Sequence, residues 1–366
     1  MSYHGPHIDQ CKKRLRSRYS SKLLFTYCKL RKKPPYSNQQ DPPRLGQSFG
    51  FVLRTQAGFF LSGLTVLKFT KPSLSITDQI DRLRQRGMVI TDEAKARHYL
   101  KHVSYYRLRA YWLPFELPTN NGDDHAFVTG TSFEDVLSLY IFDRQLRLLV
   151  MDAVERIEVA LRGAWSHHLA MKYGPHGYLD PTLYGRADYY ARSFSSLLEE
   201  IAKSKDTFII HYEAKYTDPL QPPVWMTAEI LSLGQLSKWY GNLKHRADRQ
   251  AIARNYGLDE KVLVSVIHHL AYVRNICAHH GRLWNKQFTV TMSVPNSPTS
   301  VKLAMNLQEK RRIYNSLVAL GYLLKVIAPD SEWRHNLVSL IDTCPLADPL
   351  EMGFPLKWRE LPFWQV

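Results

Sequence analysis

Cysteine is scarce in this chain of 366 residues: Cys11, Cys28, Cys277 and Cys344 stand far apart and form no C-x-x-C pair. That spacing argues against a structural zinc site and a disulfide scaffold, and fits a reducing cytosol. Long apolar runs are missing too. The most apolar stretch, TQAGFFLSGLTVL at 55–67, has 13 uncharged residues, short of the roughly 18 that a membrane span needs. It also lies too far from Met1 to read as an ordinary signal peptide. No G-x-S-x-G elbow is present, which removes the commonest serine-hydrolase arrangement. Strand-like alternation is confined to FTVTMSV at 288–294, so the expected class is all-α.

Acidic residues are rare at the N-terminus. Residues 1–72 hold 14 Lys/Arg against 2 Asp/Glu, a balance of +12, leaving +4 for the rest of the chain. A basic arm on a near-neutral body points to a polyanionic partner, because clustered cations release condensed counterions. The same composition also describes an unstructured tail with no partner. KKRLRSRYSSK and LRKKPPYSNQQDPPRLGQ mix basic runs with Pro, Ser and Gln, so residues 1–70 read as a disordered arm. No methionine lies between Met1 and Met88, which also fits translation starting near residue 65.

The remaining chain reads as a small helical subdomain (71–130), a helical bundle (131–345) and a C-terminal tail (346–366). SITDQIDRLRQRG supplies a cap at Ser75, Asp78 three residues on, and a terminating Gly87. A second helix is expected from Thr91. The following HVSYYRLRAYWLPFELPTNNGDDHAF reads as a compact connection and not a helix. Its Tyr105, Tyr106, Arg107, Arg109, Tyr111 and Trp112 suit either base stacking or core packing. A long helix is expected from Ser132, whose capping partner is Asp135, to about Ala170. It carries Leu146, Leu149, Val150, Ala153, Val154, Ile157 and Leu161 on one side. Arg144, Arg147, Glu155, Glu158 and Arg162 lie on the opposite side, as an ion-pair network or a face turned toward a partner. Further helices are expected at about 188–204, 224–240, 246–256, 259–280, 304–328 and 331–342.

One stretch concentrates chemistry: VRNICAHHGRLWN at 273–285. It closes a helix whose Leu263, Val266, Ile267, Leu270, Val273 and Cys277 form a buried stripe, with Gly281 at the expected C-cap. On that stripe Cys277 reads as a core thiol and not a nucleophile. Arg274 and His279 project about 140° apart on an ideal helix. They meet at one substrate only if the last turn unwinds or two copies face each other. Zinc is the weakest reading, since adjacent histidines point apart and no Cys or carboxylate completes a ligand set at usual spacing. A purely structural cap is a second reading, with Arg and His satisfying the helix end. The third is RNA cleavage: the ribose 2′-OH already lies beside the scissile phosphate, so a histidine near neutral pH and an arginine fork suffice. This needs neither cofactor nor metal.

RNICAHHGRLWN resembles the C-terminal signature of the bacterial abortive-infection Abi-like proteins, which carry the R-N-x-x-x-H motif of HEPN (higher eukaryotes and prokaryotes nucleotide-binding) ribonucleases. KPSLSITDQIDRLRQRGMVI at 71–90, LYIFDRQLRLLVMDAVERIEVALR at 139–162 and PPVWMTAEILSLGQLSKWY at 222–240 are similar to that family's other blocks, in the same order. The resemblance implies a HEPN-type helical bundle, a homodimer or one paired with a second such domain, that cuts RNA without metal in phage defence in the bacterial cytoplasm. A small-RNA or protein antitoxin is its implied restraint. Carried over, Arg274 stabilises phosphate, His279 handles protons and Asn275 orients them, with His280 in support. Arg144, Arg147 and Arg282 are expected to contact RNA. The basic arm inherits nothing from the family.

Overall fold

Helix caps written in the sequence set the first elements. Ser75 accepts from the Asp78 N–H and Asp78 reaches back to the Ser75 backbone, starting α1 (Ile76–Gln85); Gly87 ends it with φ 92°. Asp92 caps α2 (Glu93–His102). Next comes α3 (Tyr105–Trp112), a helix where the sequence led us to expect an irregular connection. Ser104 caps it from a left-handed backbone, and Leu108, Tyr111 and Trp112 turn inward. The segment itself holds no helix breaker, with Leu108, Arg107, Arg109 and Ala110 all good helix formers, and the Pro, Asn and Gly that suggest a connection come only after it. A Ser132/Asp135 capping box opens α4 (Phe133–Tyr173), 41 residues and about 60 Å long at the usual helical rise.

The later elements are α5 (Ala187–Lys203), α6 (Thr207–Lys215), α7 (Val224–Ile230), α8 (Leu233–Gly241), α9 (Arg246–Arg254), α10 (Glu260–Ala278), α11 (Thr299–Ala304), α12 (Tyr314–Ile327) and α13 (Trp333–Asp342). Two expected helices are divided. The 224–240 span breaks at Leu231, because Ser232 and Gln235 form a fresh capping box for α8. The 304–328 span is replaced by α11, a loop and α12. Helix α6 was not expected.

The computed structural model describes residues 71–118 and 125–365; the expected basic arm at 1–70 lies outside them. From Ser73 on, the described residues belong to one compact unit. It is all-α, with no strand among the described residues. The expected strand at 288–294 is instead an extended segment along α10. The Thr289 N–H donates to the Tyr272 hydroxyl, the Ser293 N–H to the Ser265 hydroxyl, and the Val290 carbonyl accepts from His269. Its alternation matches a helix face and not a neighbouring strand.

Helix α4 is the axis of the bundle. It packs against α3, α7, α10, α12 and α13. Six of the seven apolar residues read on its core side are buried, and Leu149 is half-buried. Each fully buried Leu, Ile or Val contributes about 1.5–3 kcal/mol. The charged stripe is less uniform than expected: Arg144 and Glu155 are exposed, but Arg147 and Glu158 are buried. At 100° per residue both fall within about 40° of Val154, so neighbours wrapping α4 enclose them. Glu158 receives Arg162 at 2.6 Å, and Arg162 also donates to the Leu231 carbonyl. Helix α12 is mostly apolar and is buried on every side from Tyr314 to Gly321. Residues 346–365 help to cover it: Phe354 and Trp364 pack with Tyr314, Trp358 packs on Phe354, and the Trp364 indole donates to the Tyr314 hydroxyl.

His269, fully buried on α10, ties three segments together. Its Nδ1–H donates to the Val290 carbonyl at 3.0 Å, and Nε2 lies 2.7 Å from the Ser316 hydroxyl, which donates to it. Burial pulls this imidazole down to about 4. In the unfolded chain the ring takes its proton near 6.5, so between these values the unfolded state binds more protons and acid favours unfolding. The stabilisation is complete above about pH 6.5 and is lost as pH falls toward 4. Urea unfolding at pH 7 and 4.5 is expected to differ by about 2–3 kcal/mol more in wild type than in His269→Gln.

Candidate active site

Helix α10 keeps its regular hydrogen bonding to the end of the motif. The His279 N–H donates to the Asn275 carbonyl at 3.0 Å, so residues 274–278 remain helical. The last turn is therefore not unwound, and Arg274 and His279 keep the divergence of about 140° that helical geometry imposes. Arg274 is half-buried, with Nη1 3.4 Å from the Asn275 Oδ1; Asn275, His279 and His280 are exposed. Two donors and two imidazoles thus stand at an open helix end.

The helix stops in a Schellman arrangement. The Gly281 N–H reaches back to the Ile276 carbonyl at 2.7 Å and the His280 N–H to the Cys277 carbonyl at 2.9 Å. Glycine was expected to cap the helix, but His280 holds the left-handed position, with φ 57°. Gly281 is needed for another reason. A Cβ there would lie 2.9 Å from Ile276 Cγ2 and 3.1 Å from its carbonyl oxygen. Gly281→Ala is therefore expected to destabilise by about 1–3 kcal/mol through overpacking, whereas His280→Gly should stabilise by about 1 kcal/mol by relieving the left-handed strain. Chemical unfolding of both variants checks the opposite signs.

Beneath the motif sits Asp143, which the sequence reading passed over. It is fully buried. Its Oδ1 accepts the Leu283 and Trp284 N–H groups at 2.9 and 2.7 Å; its Oδ2 accepts the Tyr111 hydroxyl at 2.7 Å and Arg147. Burial raises the Asp143 pKa, while Arg147, the two backbone donors and Tyr111 oppose that. A carboxyl proton would displace one of four donors, so the carboxylate is the form this geometry holds. The detectable signal was Asp143's place on the apolar stripe, three and seven residues before Leu146 and Val150, with Arg147 at i+4. Cys277 lies in the same buried region, and burial pushes its thiol up to about 12. It is inert core, as the stripe predicted.

The loop after His279 is stitched to its neighbours on every strand of contact. Arg107 of α3 donates to the His280 carbonyl at 2.5 Å, and Arg282 donates to the Ala110 carbonyl. Arg312, just before α12, donates to the Asn285 Oδ1 at 2.6 Å. Arg147 and Arg282 are thereby occupied in holding this loop, while Arg144 is exposed on α4. Ser104, His280 and Asn285 are the non-glycine residues with left-handed φ among the described residues, and all three belong to this junction of α3 with the loop. Such strain persists only where surroundings over-determine it, and it gathers at working sites.

Among the described residues no three His, Cys, Asp or Glu side chains gather as a metal-ligand set, and no helix is long and apolar enough to cross a membrane. The sequence model of the Abi-like protein family matches residues 98–285, just over half of the chain. The matched segment runs from within α2 to Asn285, the last residue of VRNICAHHGRLWN. No curated protein and no solved structure matches the chain.

Proposed function

Because the chain belongs to the Abi-like protein family, we propose that it acts in abortive infection as a metal-independent endoribonuclease of the HEPN type, with R-N-x-x-x-H at Arg274, Asn275 and His279. The observation that supports this most is the set of half-buried Arg274 and exposed Asn275 and His279 on a helix end whose following loop is bolted down by the buried Asp143. Rigid support of exposed chemistry is what a catalytic site needs and a plain helix cap does not.

In this reading His279 takes the proton of a ribose 2′-OH, the 2′-oxygen bonds to phosphorus, and the bond to the 5′-oxygen breaks as that oxygen gains a proton. The products are a 2′,3′-cyclic phosphate and a 5′-OH. Arg274 offers its fork to the phosphoryl oxygens, where charge builds in the transition state. Asn275, within reach of Arg274, orients it, and His280 supplies or removes the second proton. The intact last turn favours a homodimer, with Arg274 of one copy meeting His279 of the other. Arg144 on the exposed face of α4 is assigned to RNA contact, and restraint by a small-RNA or protein antitoxin is part of the same reading, as is action in the bacterial cytoplasm.

Sequencing RNA 5′ and 3′ ends from cells that express wild type or His279→Ala tests the assignment. New ends that appear only with wild type, together with growth arrest abolished by Arg274→Ala, are expected. Arrest that persists in Arg274→Ala with no new ends would assign the fold to RNA binding or dimerisation without cleavage.

A further inference from the structure

A second site stands between α5 and α8, sharing no residue with the motif loop. A cavity of about 350 Å³ is lined by Tyr189, Arg192, Ser193, Ser196, Lys238 and Trp239, with Gln235. That volume is at the lower end of the range for small-molecule pockets. Its chemistry is one-sided. Trp239 is buried and closes the floor, so the donors that face the cavity are the two serines and the cations. Ser196 Oγ accepts from Gln235 Nε2 at 3.0 Å, which leaves its own O–H free to donate, and Ser193 makes no side-chain hydrogen bond among the described residues.

Gln235 adds no spare acceptor, because its carbonyl oxygen is taken by the Ser232 cap. The cations complete the set. Arg186 and Arg192 hold their guanidinium carbons 3.8 and 4.7 Å from the centre of the Tyr189 ring, and Lys238 has no carboxylate partner among the described residues. The nearest carboxylates are engaged: Asp188 with Arg186 and Arg192 at 3.0 and 2.7 Å, and Glu200 beside Gln235 at 3.5 Å. Exposed ion pairs of this kind are weak and exchange readily for a better anion.

Free donors at the wall, cations at the mouth and an aromatic ring between them select an acceptor-rich anion with a flat ring. We propose that this cavity binds one nucleotide phosphate, either a free mononucleotide or the phosphorylated end of an RNA strand. Arg192 and Lys238 hold the phosphate, Tyr189 with its flanking guanidinium groups forms the planar wall, and the Ser193 and Ser196 hydroxyls meet the ring and sugar oxygens and nitrogens. This assignment stands whether or not the chain cleaves RNA, since it draws on none of the residues given to cleavage.

Calorimetric titration of the full chain with adenosine 5′-monophosphate, adenosine, and a short oligonucleotide with or without a 5′-phosphate tests it. Adenosine monophosphate is expected to bind with one site per chain and at least about tenfold more tightly than adenosine. Arg192→Ala combined with Lys238→Ala, two exposed positions whose loss leaves unfolding unchanged, should weaken that binding at least about tenfold. The indole N–H resonance of Trp239, assigned by its absence in Trp239→Phe, should shift on titration. Tight binding of the 5′-phosphorylated oligonucleotide alone, lost in the double variant, identifies the RNA end as the source. Binding of no phosphate-bearing probe, or binding that the double variant leaves unaltered, overturns the proposal.

Discussion

Asp143→Ala is expected to lower the free energy of unfolding by about 3–5 kcal/mol, the cost of stranding the partner of a buried ion pair. Arg147 is the stranded charge, buried on α4 beside the vacated position. The Leu283 and Trp284 N–H groups and the Tyr111 hydroxyl lose their acceptor as well. Asp143→Asn should cost less, because one amide oxygen still receives the two backbone donors while the amide nitrogen faces Arg147. Removing both charges, with Asp143→Leu and Arg147→Met together, is expected to recover much of the stability, since an ion pair of this kind contributes little over a well-packed apolar pair. It should not recover activity, because the loop at 283–284 stays untethered. Urea unfolding followed by circular dichroism measures each step. A loss below about 1 kcal/mol in Asp143→Ala, within the ordinary range for an inconsequential substitution, contradicts the anchoring role.

Arg274→Ala and His279→Ala are each expected to reduce RNA cleavage by about 10²- to 10⁴-fold, the usual contribution of a positioned acid–base or charge-stabilising group. Neither should shift unfolding by more than about 0.5 kcal/mol, because surface substitutions away from a packed network rarely do. Mixing the two inactive proteins separates the possible geometries. If Arg274 of one copy serves His279 of the other, each mixed dimer rebuilds one intact site and loses the second entirely, so an equal mixture regains about a quarter of wild-type activity. If both residues act within one chain, the mixture stays inactive. The intact bond from the His279 N–H to the Asn275 carbonyl favours the first outcome.

How far the sequence could be read depended on how local the cause was. The capping boxes at Ser75 and Ser132, the buried stripe of α10 and the inert Cys277 each rest on residues within a few positions of one another. Those features were legible. The Ser232/Gln235 box that divides α7 from α8 is equally local, and its S-x-x-Q pattern was there to be found. Helix α3 was hidden because its aromatic sequence runs directly into a turn-rich stretch from Pro114 on, which masked the short helix that packs against α4. Asp143 escaped notice for a similar reason: neighbours crowd α4 from several directions, so charged residues near the apolar arc are buried and no clean amphipathic division survives. The extended segment at 288–294 was misread because a helix face can present Ser265, His269 and Tyr272 to an extended chain much as a strand would. The left-handed backbone at His280 had no sequence signal, with glycine one position later drawing the eye.

In the proposed mechanism Arg274 and His279 cut RNA through its own 2′-OH. Purified full-length protein is incubated with end-labelled RNA in excess chelator, and the chemistry of the new ends is determined. Wild type is predicted to leave 2′,3′-cyclic phosphate and 5′-OH ends, at a rate at least about 100-fold above that of His279→Ala. Equal cleavage by the two proteins, or ends bearing a 5′-phosphate and a 3′-OH, would contradict it.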